Sequence, residues 1–358
     1  MKNLKTQGFV LIDVDVAALN NAGKSTSTQL ENGVATKKIR KNGRQYTYVS
    51  GQAWRYWWRN TLQQTIGWNL SPIIREAKVA FTAANPIAYD DDDVFGYMKA
   101  AKEVVTDEKG KEKKEDVTVT RVSPLKNSAI ISVTPSATVE HWSSMSRQDG
   151  DPVPYTKEEY SAVMKGMFSL DLTQVGTFAS YNRTGFKNLS EKLRKEALAA
   201  GGVEVDDPFA VTRTGEAQKL VRLPREVRLR RITGTLQALK FISGGAMQTN
   251  NLNDVAPKFV ILATTTSGNH PFSHVAIGTT TGFEQQFSLN VPGLEEVLDE
   301  FSGQIVGKVF IGVRSGFLRD EDATAIRALA DKLGPRVELL PVNAAIDGYI
   351  GQVSGQID

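Results

Sequence analysis

The sequence predicts an α+β protein in which a sheet-and-helix core carries two elaborated insertions. Strand-like and helix-like segments alternate in the C-terminal third, and one further strand–helix unit opens the chain. The stretches between these parts are polar and irregular. The chain has 358 residues, of which 41% are hydrophobic and 23% charged, so it can bury a core.

The opening unit is the clearest. Residues 8–16 alternate and are rich in Val and Ile, which predicts a strand. A basic excursion over residues 24–49 follows, closed by a hairpin around Asn42 and Gly43. A helix is predicted over about 50–66, with Ser50 as its N-cap.

The rest of the chain divides by the same signals. Residues 85–100 predict a loop that enters a short helix, 101–120 a charged hairpin, and 121–133 a strand. Residues 181–224 predict an irregular excursion with a short helix near 189–199, before a helix over 225–242. The C-terminal part should hold strands at 258–265, 283–290, 304–313 and 337–340, and helices at 294–301 and 321–332.

The net charge is only +3, but positive charge is segregated. Residues 32–75 contain eight Lys or Arg, no Asp or Glu, and four of the five tryptophans. A second basic run at 219–231 has six cations and one anion. Such segregation favours polyanion binding, with an ordinary solvated basic face as the alternative.

The helix at 50–66 has two faces. Trp54, Trp57 and Trp58 fall on one side and should pack in the core. Gln52, Arg55, Arg59 and Gln63 form a polar stripe on the other side, beginning at the helix N-terminus. Because helix N-termini favour anions and no acid follows the arginines at i+4, the stripe predicts phosphate contact. The alternative is a surface helix.

Catalytic motifs are not supported. A P-loop would need Gly where Ala18 stands before Gly23-Lys24-Ser25. The four aspartates at 90–93 do not converge on one point, and negative charge at a helix start explains them. The three histidines are scattered and there is no cysteine. We therefore expect no enzymatic activity, no metal and no cofactor.

Without a signal peptide or membrane-length apolar run, we expect a soluble, cytoplasmic protein.

A family resemblance rests on an ordered set of motifs. The string from Tyr48 to Arg59 (YVSGQAWRYWWR), following Leu19-Asn20-Asn21, resembles the CRISPR-associated RAMP backbone subunit of type I Cascade complexes, nearest the DevR type of subtype I-B. Further matching pieces are DDDVFGYM at 91–98, RVSPL at 121–125, DLTQVGTF at 171–178 and GGAM at 244–247.

The resemblance implies an RRM-like (ferredoxin-like) palm with large finger and thumb insertions. The corresponding division is a first part of the palm at 1–75, a finger region with the charged hairpin at 76–165, palm again at 166–180, a thumb at 181–232, and the rest of the palm at 233–358.

The resemblance also implies guide-RNA contacts. The phosphate-gripping pattern lands on Ser50, Gln52, Arg55 and Arg59, and the apolar wedge between guide bases on Phe178. The family also has a basic residue before this helix, and four residues could correspond to it: Lys24, Lys37, Lys38 or Arg40. The implied crRNA-binding residues outside the pattern are Lys24, Lys37, Lys38, Arg40, Arg183, Lys187, Gly244, Gly245 and Met247.

The implied function is a crRNA-binding backbone subunit that polymerises along guide RNA and presents it to target DNA, in antiviral defence or CRISPR-guided transposition. Its partners would be crRNA, target DNA, further copies of itself, and other Cascade subunits: the guide 5′-end cap subunit, the large subunit and the crRNA-processing endonuclease. Backbone contacts leave base edges free for pairing. Alternatives are a type III-like subunit that cleaves target RNA with a metal at the aspartates, a stand-alone RNA-binding protein, and a protein scaffold.

Overall fold

The structure, a computed structural model, describes residues 3–24, 33–76, 79–106, 112–147, 149–183, 186–281 and 284–358. In the N-terminal half the elements are β1 (Lys5–Ala17), β2 (Asn21–Lys24), β3 (Val34–Thr36), β4 (Lys38–Lys41), β5 (Arg44–Val49), α1 (Gly51–Thr61), β6 (Ile73–Glu76), β7 (Val79–Thr82), α2 (Asp90–Phe95), β8 (Tyr97–Thr106), β9 (Glu112–Arg121), β10 (Leu125–Asn127), β11 (Ile130–Ser132), β12 (Val139–Met145) and β13 (Val153–Asp171).

The C-terminal half continues the series, with short 3₁₀ turns at Ala238–Lys240 and Gly334–Arg336 and a π-helical turn after α1 at Leu62–Ile66. Its elements are β14 (Thr177–Ala179), α3 (Glu191–Ala199), β15 (Val203–Val211), β16 (Ala217–Arg222), α4 (Arg225–Gln237), α5 (Gln248–Asn251), β17 (Phe259–Thr265), β18 (Ala276–Thr281), β19 (Glu284–Leu289), α6 (Val291–Glu300), β20 (Val309–Val313), α7 (Asp320–Leu333), β21 (Val337–Leu340) and α8 (Val342–Gln356).

The central sheet has the order β21-β20-β17-β1-β13-β11-β5-β4. Within it, β1-α1-β11-β13-α4-β17 forms a β-α-β-β-α-β unit with the strand order β17-β1-β13-β11, and every adjacent pair in this unit is antiparallel. This is the ferredoxin-like arrangement. The predicted α+β, RRM-like fold class is therefore confirmed.

Helices α1, α4 and α8 pack against one face of the sheet. Trp54 and Trp58 stack at 5.6 Å between ring centroids, and the Trp58 indole donates to the Thr235 carbonyl of α4. The tryptophans are at most 5% exposed, and they pack in one cluster with Val49 and Phe168. The tryptophan face is therefore core, as its helical spacing predicts.

The other face of the sheet is covered by α6 and α7 over β17, β20 and β21, with Phe9, Phe259 and Phe272 in a second core. Hairpin β18–β19 borders this core, since Ala276 and Leu289 belong to it. The strand β1 therefore contributes alternate residues to both cores, which explains its nearly continuous burial.

The insertions are more regular than the sequence suggests. Residues 181–224, predicted as irregular apart from a short helix near 189–199, contain that helix as α3 and also β15 and β16, which join β14 in a small sheet of order β14-β16-β15 with its own buried cluster. The strand predicted at 121–133 is two short strands, β10 and β11, and the one predicted at 304–313 begins only at Val309. Strand β13 runs through the predicted finger–palm boundary at 165, so that division remains a prediction.

No helix in the described part of the chain is both long and apolar enough to cross a bilayer.

Candidate nucleic-acid interface

The N-terminus of α1 is a junction of several predicted site residues. The Ser50 side chain accepts from the Ala53 amide at 3.3 Å, so it caps the helix as predicted. The Ser50 amide donates to Asn20 Oδ1 at 2.9 Å, and the Asn20 carbonyl accepts from the Lys37 amide. Asn20 therefore ties the end of β1 to the helix start and to Lys37.

The loop at 244–247 completes this junction. The Ala246 amide donates to the Leu19 carbonyl at 3.0 Å. A Cβ on Gly244 would lie 2.3 Å from the Trp57 ring, so only glycine fits there. Gly245 and Met247 both have positive φ, which turns the backbone sharply beside the helix start. Ser50, Lys37, Gly244, Gly245 and Met247 are thus brought together.

Two shallow depressions run along the exposed side of α1 and share Gln52 and Arg55. One is also lined by Lys126 and Asn127, the other by Tyr56 and Arg59. We call the pair the α1 groove. Gln52, Tyr56 and Lys126 are exposed in it. Gln52, Arg55 and Arg59 of the predicted polar stripe therefore line a surface groove, whereas Gln63 lines neither of the two depressions.

Arg55 is held in the α1 groove by bonds to neutral groups, and no carboxylate of the described residues pairs with it. Its Nη1 donates to the Leu125 carbonyl at 2.7 Å, and its Nη2 donates to the Phe95 carbonyl at 2.8 Å. Asn127 Oδ1 and Ser123 Oγ accept two further bonds. Burial, and then the neighbouring positive charge of Arg59, lower the pKa of the Arg55 guanidinium to about 10. A nearby anion would relieve both penalties.

Other predicted cations already have acidic partners. Arg59 Nη2 contacts Asp91 Oδ2 at 2.5 Å, and Lys38 Nζ contacts Glu158 Oε1 at 2.6 Å. Both carboxylates are nearly buried, so these pairs compensate charge inside the chain. Arg59 therefore fixes α1 to α2, and its reach to an external phosphate is reduced.

Three of the four aspartates of α2, Asp90, Asp91 and Asp93, form the centre of a buried ionic cluster. Arg231 Nε donates to Asp90 and its Nη1 donates to Asp93, both at 2.8 Å, while Arg121 Nη2 donates to Asp93 at 2.6 Å. Arg230 pairs with Asp90 from a more exposed position. The aspartates do open a helix, as predicted, and two of the six cations of the second basic run pair with them.

Phe178 does not lie where a wedge between bases would need to be. Its side chain is fully buried in the small cluster of the second insertion, and the Arg121 guanidinium lies 4.6 Å from its ring centroid. The wedge prediction for Phe178 is therefore wrong, because β14 pairs with β16 and turns this residue inward. Apolar side chains that are exposed in the same insertion are Val203, Phe209 and Val211 on β15.

The remaining predicted cations are scattered around the groove and the second insertion. Arg40 is exposed on the hairpin β4–β5. Arg183 is half-exposed and lies 3.5 Å from Asp207, and the Lys187 carbonyl accepts from the Thr120 amide. Lys24 ends β2, but its side chain lies outside the described residues.

Sequence reasoning missed Asn20, Tyr56 and Lys126 as parts of this site. Asn20 had a signal, because it belongs to the Leu19-Asn20-Asn21 motif that follows the first strand. Lys126 had none, since it reaches the groove only through the pairing of β10 with β13. The sequence around such a cation does not indicate which residues it will contact in the folded protein.

Comparison with known protein families identifies the family of this chain. Residues 10–281 match the family described as the CRISPR-associated negative auto-regulator DevR/Csa2. The match covers well over half of the sequence, so this chain belongs to the DevR family. No curated protein matches it.

Solved structures agree on the fold. A chain of a CRISPR RNA-guided surveillance complex is similar with a TM-score of 0.52 and 10% identity, over 98% of this chain and 99% of that one. A second, from a pre-nicking CRISPR RNA-guided surveillance complex, has a TM-score of 0.51 and 10% identity, over 97% and 99%. At such identity the likeness concerns the fold alone.

Proposed function

We propose that this protein is a crRNA-binding backbone subunit of a type I-B-like Cascade complex. Copies would polymerise along guide RNA, hold its phosphates without sequence preference, and present it to target DNA beside the other Cascade subunits. Family membership and the ferredoxin-like fold support the class. The observation that carries the proposal is Arg55, a half-buried cation that lines a surface groove and has no carboxylate partner among the residues that the structure describes.

The proposed contacts follow from the arrangement. Gln52 and Lys126 are exposed in the same depression as Arg55 and would bond phosphate oxygens there. Ser50, Lys37, Arg40 and the loop with Gly244, Gly245 and Met247 would line the path at the helix start. Lys24, Arg183 and Lys187 remain proposed contacts further along. Lys38 and Arg59 would act by fixing the walls, since their charges are matched within the chain.

The test uses charge reversal at exposed positions only. Arg55 and Arg59 are unsuitable, because their bonds hold α1 to α2 and β10. The variant with Gln52→Glu, Lys126→Glu and Arg40→Glu should purify without RNA when expressed with a guide array, whereas the parent should show a raised 260/280 nm absorbance ratio and large, RNA-dependent assemblies.

A matched control is Arg327→Glu on α7, an exposed cation on the far side of the sheet. It should leave the RNA content unchanged. RNA content equal in the triple variant and the parent would refute the proposal. A single copy that selects one short RNA motif would instead favour a stand-alone, regulatory RNA-binding protein, in line with the auto-regulator role in the family's name.

We also propose that the chain holds RNA without cutting it. Among the described residues, no group of three or more His, Asp or Glu is arranged to hold a metal ion. Three of the α2 aspartates, Asp90, Asp91 and Asp93, are engaged by arginines instead. Cleavage of a complementary RNA that depends on added Mg²⁺ would contradict this and favour the type III-like alternative.

A further inference from the structure

Hairpin β4–β5 distributes its cations between the two sides of the sheet. Arg40 lies opposite Gln45 and Lys38 opposite Thr47, on the side where Val49 enters the α1 core. Lys41 pairs with Arg44, and Ile39 with Tyr46, on the other side. Because successive strand residues alternate in direction, one short hairpin presents positive charge to both faces.

The side away from α1 carries aromatic and positive residues together. Tyr48 lies beside Ile131, and Ile131 beside Lys165 of β13, so this row crosses three strands. We call this surface the tyrosine face; it consists of Ile39, Lys41, Arg44, Tyr46, Tyr48, Ile131 and Lys165.

The tyrosine face is accessible. Lys41 and Arg44 are exposed, Ile39 is 44% exposed, and the two tyrosines are half-buried. Helices α6 and α7 cover the opposite end of the sheet, over β17 and β21. Hairpin β18–β19 lies next to this face: the Ala276 carbonyl accepts from Lys165, and a Cβ on Gly278 would lie 3.0 Å from the Val133 carbonyl.

The charge of this face is not balanced locally. Lys165 Nζ donates to the carbonyls of Ser273 and Ala276, at 3.1 and 3.3 Å, and not to a carboxylate. Lys41, Arg44 and Lys165 form no ion pair among the described residues. Burial and the charge of Lys41 lower the pKa of Lys165. On the same side of the sheet, the nearest acidic residue along the strands is Asp13. It lies on β1 opposite Val163 of β13, and the positive charge of Lys258 acts on it.

We propose that the tyrosine face binds a second single-stranded nucleic acid, separate from the strand in the α1 groove. Lys41 and Arg44 would contact phosphates, and Tyr46 and Tyr48, two positions apart on one strand, would stack on successive bases. Antiparallel sheets with exposed aromatics bind single strands in this way, and stacking accepts any base. The inference relies on the proposed function only for the kind of partner.

The test measures the affinity for an added oligonucleotide, and guide retention in the α1 groove is measured separately. A labelled oligonucleotide of about 12 residues, unrelated in sequence to any guide and made as DNA or as RNA, is titrated by fluorescence anisotropy. The double variant Lys41→Glu with Arg44→Glu should bind roughly a hundredfold more weakly, with a salt slope smaller by about two. Comparing the DNA and RNA probes identifies the source of the strand.

Tyr46 and Arg40 provide matched controls. Tyr46→Ala should weaken binding about tenfold, whereas Tyr46→Phe should retain it, because the stacking ring remains. Arg40→Glu, on the same hairpin but the other side, should lower guide retention and leave the added oligonucleotide's affinity unchanged.

The outcomes separate the two proposals. Retained guide with an unchanged oligonucleotide affinity in the Lys41→Glu and Arg44→Glu variant overturns this inference and leaves the proposed function intact. Loss of guide in the α1-groove variant with oligonucleotide binding preserved supports both. If the Lys41→Glu and Arg44→Glu variant changes only the assembly size, the tyrosine face contacts protein and the inference is wrong.

Discussion

At the scale of single residues, arginines that are close in sequence occupy very different surroundings. Arg231 is 1% exposed and binds two aspartates and the Pro86 carbonyl. Arg230, its neighbour, is 56% exposed and binds Asp90. In the described part of the chain, Arg55 binds carbonyl and hydroxyl oxygens and no carboxylate. Burial and the identity of the acceptor, rather than the residue type, separate a guanidinium whose charge is matched inside the chain from one whose charge is not.

This contrast gives a stability prediction. Arg231→Met should lower the free energy of unfolding by about 3–5 kcal/mol, because it leaves Asp90 and Asp93 buried with a lost partner. Arg230→Met should cost less than about 1 kcal/mol, since its pair is half in water. Urea denaturation of both variants against the parent measures the difference. Equal losses would mean that the cluster does not depend on burial.

At the scale of elements, the second half of α1 is held by the loop that follows α4. The chain turns at Gly244 directly against the Trp57 ring, and the Ser243 amide donates to Thr61 Oγ1. Since α1 and α4 are also joined through Trp58 and Thr235, helix and loop form one packed unit. A displacement of the loop would therefore shift the proposed RNA path.

The expected consequence concerns glycine substitutions. Gly244→Ala should destabilise the protein by about 1–3 kcal/mol, because the added methyl would overlap a buried indole. Gly351→Ala, in α8 with nothing within 4 Å of the added Cβ, should instead stabilise it by about 0.5–1 kcal/mol through helix propensity. Thermal unfolding followed by circular dichroism tests both. An unchanged melting temperature in Gly244→Ala would show that the loop shifts to admit the methyl group at little cost in stability.

Elements with strong local signals could be predicted from sequence. The Ser50 cap, the hairpin turn at Asn42 and Gly43, and the buried run of β17 all have short-range causes. Strand β13 was missed, because Lys157, Glu158 and Glu159 interrupt its apolar pattern and its main partner, β1, is far away in sequence. Helix α8 was missed as well, since its three glycines lower its propensity and packing on β17 and β20 decides its form.

The candidate site was predictable only in part, for the same reason. The positions of Gln52 and Arg55 on one helix face follow from periodicity. The partner of Arg59 does not, because Asp91 lies on another element. Phe178 illustrates the limit most clearly, since an apolar residue after a glycine turn looks the same locally whether it points outward or into a core.

At the scale of the whole molecule, one loop is attached to the middle of the sheet by a histidine. His270 contacts the Gly8 carbonyl through Nε2 at 3.0 Å, and its Nδ1 accepts from the Phe272 amide. The neutral ring fits both bonds, with Nε2 donating. Burial lowers the pKa of His270, which opposes protonation in the folded state.

Global stability should therefore fall on mild acidification. Because the folded pKa lies below the unfolded value of about 6.5, the contribution is complete above that value and is lost as the pH falls below it. The slope from this one proton is at most about 1.4 kcal/mol per pH unit. The variant His270→Gln should lose less of its free energy of unfolding than the parent between about pH 7 and 5, as measured by urea unfolding. The variant His274→Gln, at an exposed position, should behave like the parent. Identical slopes in all three proteins would exclude His270 as the cause.

The ionic cluster around α2 also has a consequence for biosynthesis. Asp90 and Asp93 leave the ribosome 141 and 138 residues before Arg231, their shared partner. At roughly 5–20 residues per second that interval is on the order of ten seconds. During it, Asp90 has neither Arg230 nor Arg231 to pair with, so α2 can pack against α4 only late in translation. Ribosomes stalled before codon 231 should therefore display protease-sensitive N-terminal halves.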